Sequence, residues 1–386
     1  MQIVYLMRAS VVPQGRIPWE NLHMSQPGIP RMTRRNLLRG AAAAAAAPAG
    51  ELVRLPRRIR LGLLGLDGHY GEILDPLGRL PDVELVAVSD ADAGNAKRVI
   101  ETTGSRSARP YADYREMLDR EQFDVVAVCN NNGERVEAIL ACAARKLHVI
   151  AEKPLAIHRK DLERVKRAVE HNGIRLSMLL PMRFSSPYLA IRKVVEQGEI
   201  GEVAQIAAQK SYKAGERPQW MKRRSTFGGT IPWIGIHMVD LMRWASGREF
   251  TEVASFQARI GDFSGIGEME NVTGSLFRLD NGGVALLRMD YLRPETAPSH
   301  GDDRLRLAGT RGVVEYQEPA GVTFLPAQGK PEVLRDLPAG QSVFMDFLES
   351  VYAGKPAALP LADIYRVSDI VLTAREAADE NRMLRI

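Results

Sequence analysis

The sequence predicts an α/β protein with two domains: a doubly wound parallel sheet, then an α+β domain with an open, mostly antiparallel sheet. Short β-branched strands alternate with helical patterns through residues 57–180, which is typical of a parallel sheet with crossover helices. Strand patterns dominate residues 250–316, where Asp-Asn-Gly-Gly at 280–283 favours a hairpin turn. With 386 residues, 45% of them hydrophobic, the chain is long enough to bury two cores.

The excess of basic charge lies in the first 60 residues, most of which form an N-terminal extension, residues 1–56, that we exclude from the fold. Residues 1–60 hold ten arginines, no lysine and two acids, a net charge of +8. The remainder has 42 basic and 45 acidic side chains, a net charge of −3, from the totals of 52 and 47. The predicted domains therefore carry no charge excess for binding nucleic acid. No apolar run reaches the roughly 18 residues that a membrane span needs.

The extension contains Thr-Arg-Arg-Asn-Leu-Leu-Arg at 33–39, followed by seven alanines at 41–47. This pattern is similar to a twin-arginine export signal, with Ala-Pro-Ala at 47–49 as a candidate cleavage site. We therefore expect a periplasmic or otherwise exported protein. The alternative is a disordered tail on a cytoplasmic protein, and Met24 or Met32 are alternative start codons.

The first domain, 57–180, is expected to contain five strands and the helices between them. Apolar β-branched runs predict the strands, and apolar stripes at helical spacing predict the helices. We expect the charged helix after the fourth of these strands to end at Gly173. The predicted strands are 60–65, 83–89, 124–129, 148–151 and 174–180, and the predicted helices are an apolar-periodic segment to Leu80, 93–103, 111–120, 134–146 and 160–170.

The first strand runs into a glycine loop, Gly65-Leu66-Asp67-Gly68-His69-Tyr70, as in dinucleotide-binding Rossmann domains. Gly65, Gly68 and His69 are candidate cofactor-binding residues. Asp67 occupies the second glycine position, where a carboxylate would repel a pyrophosphate. Asp90 ends the second strand, 25 positions after Gly65, where such domains bind a ribose 2′-hydroxyl. We therefore expect NAD, with NADP as the alternative.

The run 148–155 reads His-Val-Ile-Ala-Glu-Lys-Pro-Leu, a strand that stops on Glu152-Lys153-Pro154. Open α/β sheets bind ligands at the carboxyl ends of their strands. The following proline holds Lys153 extended, and the Lys-Pro bond is one that can be cis. We expect Lys153 to present its ammonium group at this edge; the alternative is a solvated Lys-Glu pair at a strand end.

The second domain, 181–386, contains a glycine turn that leads into a helix, and this helix carries Trp233, His237 and Asp240 on one face. His237 is either catalytic or a core histidine.

The apolar surroundings of Cys129 and Cys142 favour buried thiols, and we expect no metal site. The predicted strands are 203–213, 253–260, 272–279, 284–291, 304–308 and 313–316, and the predicted helices are 188–197, one after the glycine turn at 227–229, 343–352 and 361–378.

From about residue 59 to its end, the chain resembles the glucose–fructose oxidoreductase, inositol dehydrogenase and MocA family of NAD(P)-dependent oxidoreductases. The resemblance rests on the 148–155 motif, on Gly-Gly-Thr through Gly-x-His-x-x-Asp at 228–240, and on Leu-Ala-Gly-Thr-Arg-Gly-Val-Val-Glu at 307–315. It implies the two-domain fold, a sugar-like substrate, and a homodimer or homotetramer formed through the open sheet. It also implies that Lys153 contacts nicotinamide and substrate, and that His237 exchanges a proton with the substrate hydroxyl.

The chain departs from the family pattern at several site positions. Trp233 stands where many members have an aspartate that orients the histidine, and Asp240 is a candidate substitute. Asn-Asn-Asn at 130–132 replaces Thr-Pro-Asn, which makes Asn130 and Asn132, together with Glu152, candidate cofactor-binding residues. Arg135 replaces a frequent histidine. The plausible pocket residues are Arg183, Tyr212, Trp220 and the basic run 222–224.

Three functions are therefore considered. The first is a dehydrogenase of a sugar, cyclitol or related polyol. The second is a non-catalytic sensor or carbohydrate-binding relative, in which Trp233 stacks on a sugar ring. The third is an NAD-dependent glycosidase, since some exported relatives hydrolyse glycosides through transient oxidation.

Overall fold

A computed structural model describes residues 51–386, which belong to one compact unit with two sheets. The predicted export signal lies outside the described residues. The domain boundaries at 57 and 180 stay predictions. Between residues 51 and 386, every helix is too short or too polar to cross a membrane.

The first sheet is parallel throughout, in the order β3-β2-β1-β4-β5-β6. This confirms the predicted doubly wound sheet. The strand order reverses between β1 and β4, so a crevice opens at their carboxyl ends. The strands are β1 (Ile59–Leu64), β2 (Val83–Ser89), β3 (Arg109–Tyr111), β4 (Val125–Val128), β5 (His148–Ala151) and β6 (Leu176–Met178).

The helices of the first half lie close to their predicted positions, with one exception. The helix expected at 111–120 begins only at Tyr114, because residues 109–111 form β3 and Asp113 caps the helix with its carboxylate. Pro110 within that strand favours extended backbone over helix. The helices are α1 (Gly71–Leu74), α2 (Ala93–Thr103), α3 (Tyr114–Arg120), α4 (Arg135–Ala144) and α5 (Arg159–Asn172).

The second sheet has nine strands in the order β14-β13-β12-β11-β7-β10-β9-β8-β15. Only the β7–β10 pair is parallel, so the predicted mostly antiparallel sheet is confirmed. The strand patterns in the sequence did not predict β13, β14 and β15. The strands are β7 (Val203–Lys213), β8 (Phe250–Ala258), β9 (Val272–Leu279), β10 (Val284–Arg293), β11 (Gly301–Gly309), β12 (Gly312–Gln317), β13 (Gly321–Pro326), β14 (Glu332–Leu334) and β15 (Leu384–Arg385).

Helices cover one face of this sheet, with α8 against β7 and α10 against β8. The other face carries exposed apolar side chains, among them Phe256, Leu276 and Leu286, because alternate residues of a strand point to opposite faces. The helices are α6 (Ser186–Glu196), α7 (Arg224–Phe227), α8 (Ile236–Ser246), α9 (Val343–Tyr352) and α10 (Leu361–Glu380), and a π-helical segment (Ile231–Gly235) leads into α8.

Candidate active site

Lys153 lies at the carboxyl end of β5, in a cis Lys-Pro peptide, and only 2% of its surface is exposed. Its Nζ donates a 2.7 Å hydrogen bond to the carbonyl oxygen of Trp233, which precedes α8 by three residues. Burial lowers the pKa of Lys153 from 10.5 to about 7, although Glu152 opposes the shift. The lysine is therefore a buried group aimed at the second half of the chain, not part of a solvated Lys-Glu pair.

Glu152 supports the glycine loop. Its two oxygens accept hydrogen bonds from the backbone nitrogen of His69, at 3.0 Å, and pair with His69 Nδ1, at 2.8 Å. Burial opposes ionisation of Glu152, but the charge and hydrogen bond of His69, together with the charges of Lys153 and Arg135, hold its pKa below the ordinary value. Both oxygens are engaged inside the protein, and a direct contact of Glu152 with the cofactor stays a prediction.

Gly65 and Gly68 have positive φ angles of 77° and 69°. A Cβ atom at Gly65 would lie 2.5 Å from the backbone of Asn130, and one at Gly68 would lie 2.7 Å from Cδ of Glu152. Both positions therefore need glycine for conformation and for space. Gly68 serves the packing of the loop against β5, which explains why the glycine spacing differs from the usual fingerprint.

A cavity of about 490 Å³ opens at the carboxyl ends of β1, β2 and β4, and its lining includes Gly65, Asp67, Asp90 and Asn130. The carboxamide of Asn130 is buried and has no partner for either polar atom within the described residues. Asp90 uses Oδ1 to hold its own loop, through the backbone of Asp92 and the side chain of Asn95. Unsatisfied amide groups and an acid at the strand end fit the adenosine half of NAD.

Asp67, in the second glycine position, accepts a 2.9 Å hydrogen bond from Nε1 of Trp220. Burial raises the pKa of Asp67, and this hydrogen bond partly offsets the rise. The Trp220 ring contacts Trp233 and Phe227, so the loop before α7 lies against the glycine loop. The carboxylate of Asp67, which the sequence predicts to lie near the pyrophosphate, is thus hydrogen-bonded to the second half of the chain.

His237, on α8, is 4% exposed and its Nδ1 has no hydrogen-bond partner within residues 51–386. Its ring meets the ring of His69 edge-on, with centroids 5.4 Å apart. Burial lowers the pKa of His237 well below 6.5, and the charges of Lys153 and Lys210 lower it further. Burial therefore favours the neutral imidazole, and its Nδ1 has no partner within residues 51–386 that would keep it from accepting a proton.

Asp240 does not substitute for the missing aspartate, contrary to the expectation from its position on α8. Its carboxylate accepts two hydrogen bonds from the buried guanidinium of Arg183, which also pairs with Asp363. Such a buried pair needs all its partners inside the protein. Arg183 is therefore a structural residue, and its assignment as a pocket residue was wrong.

Asn132 and Arg135 are structural residues as well. The Asn132 carboxamide donates to the carbonyl oxygen of Phe227 and accepts from Arg135, so both of its polar atoms are occupied. Arg135 also donates to the carbonyl oxygens of Asn130 and Pro154. Asn132 thus joins the loop after β4 to the second half of the chain, and its role as a cofactor ligand stays a prediction.

The basic run 222–224 is largely engaged in ion pairs. Lys222 pairs with Glu216, and Arg224 pairs with Glu270 and Asp379.

Both cysteines are buried free thiols, as predicted. Among the residues from 51 onward, no cluster of side chains has the composition of a metal site.

An ion pair that was not predicted from the sequence joins Lys210 Nζ to Asp303 Oδ2, at 2.6 Å. Lys210 is 2% exposed and its charge lowers the pKa of both catalytic candidates. A lysine in the middle of a buried strand could have indicated this ion pair from the sequence, because a buried charge requires a partner.

Comparisons with known proteins agree with this geometry. Residues 59–180 match the profile of the oxidoreductase family with an NAD-binding Rossmann fold, and residues 188–315 match the GFO/IDH/MocA C-terminal domain. Myo-inositol 2-dehydrogenase from Thermotoga maritima is 24% identical over 338 residues, which cover 85% of this chain and 98% of that protein.

Solved structures share the whole architecture. An oxidoreductase from Thermotoga maritima is 30% identical, with a TM-score of 0.79, and the match covers 85% of this chain and 100% of that one. Aldose-aldose oxidoreductase from Caulobacter crescentus is 22% identical, with a TM-score of 0.74 over 86% of this chain and 100% of that one, and shows the same fold. The chain therefore belongs to the GFO/IDH/MocA family of oxidoreductases, and its first sheet forms the NAD-binding Rossmann domain of that family.

Proposed function

We propose that the protein is an NAD-dependent dehydrogenase that moves a hydride between the cofactor and a carbinol carbon of a sugar, cyclitol or related polyol. One observation carries the proposal: the buried Lys153 donates to the carbonyl oxygen of Trp233, four residues before the buried His237, which brings together two side chains 84 residues apart in the sequence. The inositol dehydrogenase named among the relatives supports a polyol substrate.

The two side chains have complementary roles in this reaction. Bound NAD supplies the hydride acceptor. A hydride leaves a carbinol carbon only as the hydroxyl proton passes to a base, and we assign that role to the imidazole of His237, whose Nδ1 has no partner within residues 51–386. Lys153, once released from the Trp233 carbonyl, can hydrogen-bond the reacting oxygen of the substrate. His69, held by Glu152, fixes one side of His237.

The test measures the change in nicotinamide absorbance when the purified protein is given NAD and a panel of sugars and cyclitols. We expect turnover with at least one compound, and a loss of about 10²- to 10⁴-fold in Lys153→Ala and in His237→Ala. Lys160→Ala, an exposed lysine of the same region, is the control. Full activity of Lys153→Ala would refute the assigned roles.

A non-catalytic sensor is the second candidate, because the Trp233 indole covers Lys153. It is supported if calorimetry detects NAD and a sugar-like ligand while no compound is turned over. Glycoside hydrolysis, the third reading, is tested by release of the aglycone from chromogenic glycosides without net NADH.

We also propose homo-oligomerisation and export. The open face of the second sheet surrounds a depression of about 620 Å³ and exposes 68% of Phe256, which suits a partner subunit. Light scattering of the wild type and of Leu286→Glu tests the assembly.

Export through the 33–39 motif is tested by fractionation of cells that express the chain with Arg34 and Arg35 replaced by lysine.

A further inference from the structure

His69 and Glu152 form a carboxylate–imidazole pair beside the proposed base. Glu152 Oε1 lies 2.8 Å from His69 Nδ1, and Oε2 accepts a hydrogen bond from the His69 backbone nitrogen at 3.0 Å. Because the pKa of Glu152 lies below its ordinary value, its carboxylate is ionised at neutral pH and can only accept. Nδ1 of His69 therefore carries the ring proton in this contact, and Nε2 of the neutral imidazole is left as the acceptor nitrogen.

The same imidazole meets His237 on its other side. The two rings are in contact edge-on, with centroids 5.4 Å apart and ring planes at 79°. The other acid whose charge interacts with His69 is Glu72, three residues further along the chain. His69 thus lies between an ionised, completely buried carboxylate and the residue that we assign as the base.

His237 is poorly placed to keep a proton once it has accepted one. Its residue is 4% exposed, and burial together with the positive charges of Lys153, Lys210 and His69 lowers its pKa. Asp240, on the same helix, is bound to Arg183 and does not offset these charges. A proton taken from a substrate hydroxyl must therefore leave His237, and it needs a nearby acceptor.

His69 has the two properties that such an acceptor needs. An imidazolium at this position would form a charge-assisted hydrogen bond to the Glu152 carboxylate, which stabilises the protonated ring. The side chain of His69 is also 36% exposed, so its proton can pass on to water. His237 has neither a carboxylate partner for Nδ1 within the described residues nor comparable exposure.

We propose that His69 is the proton carrier that receives the substrate proton from His237 and releases it to solvent. The substrate hydroxyl gives its proton to His237 as the hydride leaves the carbinol carbon. His237 then gives one proton to Nε2 of His69, and the imidazolium, paired with Glu152, loses one proton to water. Both histidines are neutral again at the end, so the step is balanced.

The angle between the rings adds one requirement. A proton enters and leaves an imidazole in the plane of the ring, and these planes stand at 79°. The ring of His237 therefore turns before the transfer, since Glu152 holds His69 and Nδ1 of His237 has no partner within residues 51–386. His69 acts through His237, and the inference rests on the proposed dehydrogenase function.

The main test is His69→Asn in the full chain. Asparagine can keep a donor near the position of Nδ1, and so keep the contact with Glu152, but it cannot carry a proton. We expect kcat to fall about 10²-fold, while KM and the affinity for NAD, measured by calorimetry, change by no more than about twofold. The solvent isotope effect on kcat should rise, and added imidazole should restore part of the lost kcat. His171→Asn, an exposed histidine of α5, is the control and should behave as the wild type.

A second measurement needs neither a variant nor turnover, and it stands even if His69→Asn does not fold. Nitrogen NMR of the histidine-labelled wild type at neutral pH reads which ring nitrogen of His69 carries the proton. We expect Nδ1, as the contact with Glu152 requires. A neutral ring with its proton on Nε2 would overturn the inference, because Nε2 could then not accept from His237.

The two proposals fail in different ways. Turnover of a polyol that His69→Asn leaves unchanged, or a loss that imidazole does not rescue, keeps the dehydrogenase function and removes the proton carrier. Loss of NAD binding in His69→Asn also removes it, and makes His69 a cofactor ligand instead. If the wild type turns over no polyol, the dehydrogenase function falls and the proton carrier falls with it.

Discussion

The ammonium nitrogen of Lys153 lies 3.4 Å from the ring centroid of Trp233 and donates to the carbonyl oxygen of the same residue. An indole attracts a cation through its ring but carries no charge. Lys153 therefore contacts the Trp233 ring without an ion pair there that would stabilise its ammonium form. Burial lowers the pKa of Lys153 to about 7.

We expect Trp233→Asp to raise the pKa of Lys153 toward its ordinary value of 10.5, since a nearby carboxylate favours the ammonium form. Trp233→Asn is the matched control, because asparagine has nearly the same shape as aspartate without the charge. The measurement is the pH profile of kcat/KM, in which the inflection near pH 7 should move upward only in the aspartate variant. Identical profiles would contradict the charge argument.

The stability of the wild type should depend on pH through Lys153. Its pKa is about 7 in the folded state and 10.5 in the unfolded state, so the unfolded state binds one more proton between these values. Folding is therefore penalised fully below pH 7, and the penalty is relieved as pH rises toward 10.5. Urea unfolding at pH 7, 8 and 9 should show the wild type gaining up to about 1.4 kcal/mol per pH unit relative to Lys153→Met. A constant difference would show that the lysine is not buried as described.

Asp67→Asn should tighten NAD binding. The substitution removes a negative charge at the second glycine position, and its amide oxygen can still accept from Nε1 of Trp220. We expect about tenfold higher affinity at low ionic strength, with a smaller gain at high salt because the repulsion is screened. Calorimetry at two salt concentrations measures both effects. Trp220→Phe, which leaves the carboxylate without its donor, should act in the opposite direction.

Gly68→Ala should destabilise the protein more than Gly104→Ala. Both glycines have φ near 70°, so both substitutions strain the backbone by about 1 kcal/mol. Only at Gly68 does the new Cβ also meet Glu152, at 2.7 Å, while nothing lies within 4 Å of Gly104. The free energy of unfolding should fall further in Gly68→Ala, and NAD binding should weaken in that variant alone. Equal losses would mean that the loop moves away from Glu152 at no cost.

The sequence alone predicted most of the elements, because strand and helix periodicity are local properties. Val83–Ser89, Ala93–Thr103, Val203–Lys213 and Val272–Leu279 have the bounds that their patterns predict. The edge strands β14 and β15 were missed, since strands of three and two residues are too short for a periodic pattern, and β13, which lies between β12 and β14, was missed as well. The position of Lys153 at the carboxyl end of a parallel strand also followed from the sequence, because chain direction and the proline determine it.

Only the tertiary structure decided which side chains pair. Asp67 is bound by Trp220, 153 residues away. Asp240 is bound by Arg183 and not by His237, and Lys210 is paired with Asp303, 93 residues away. Glu152 reaches His69 across 83 residues. A buried polar group takes the partner that the packing of distant elements brings to it, and neither spacing nor residue type along the chain specifies that partner.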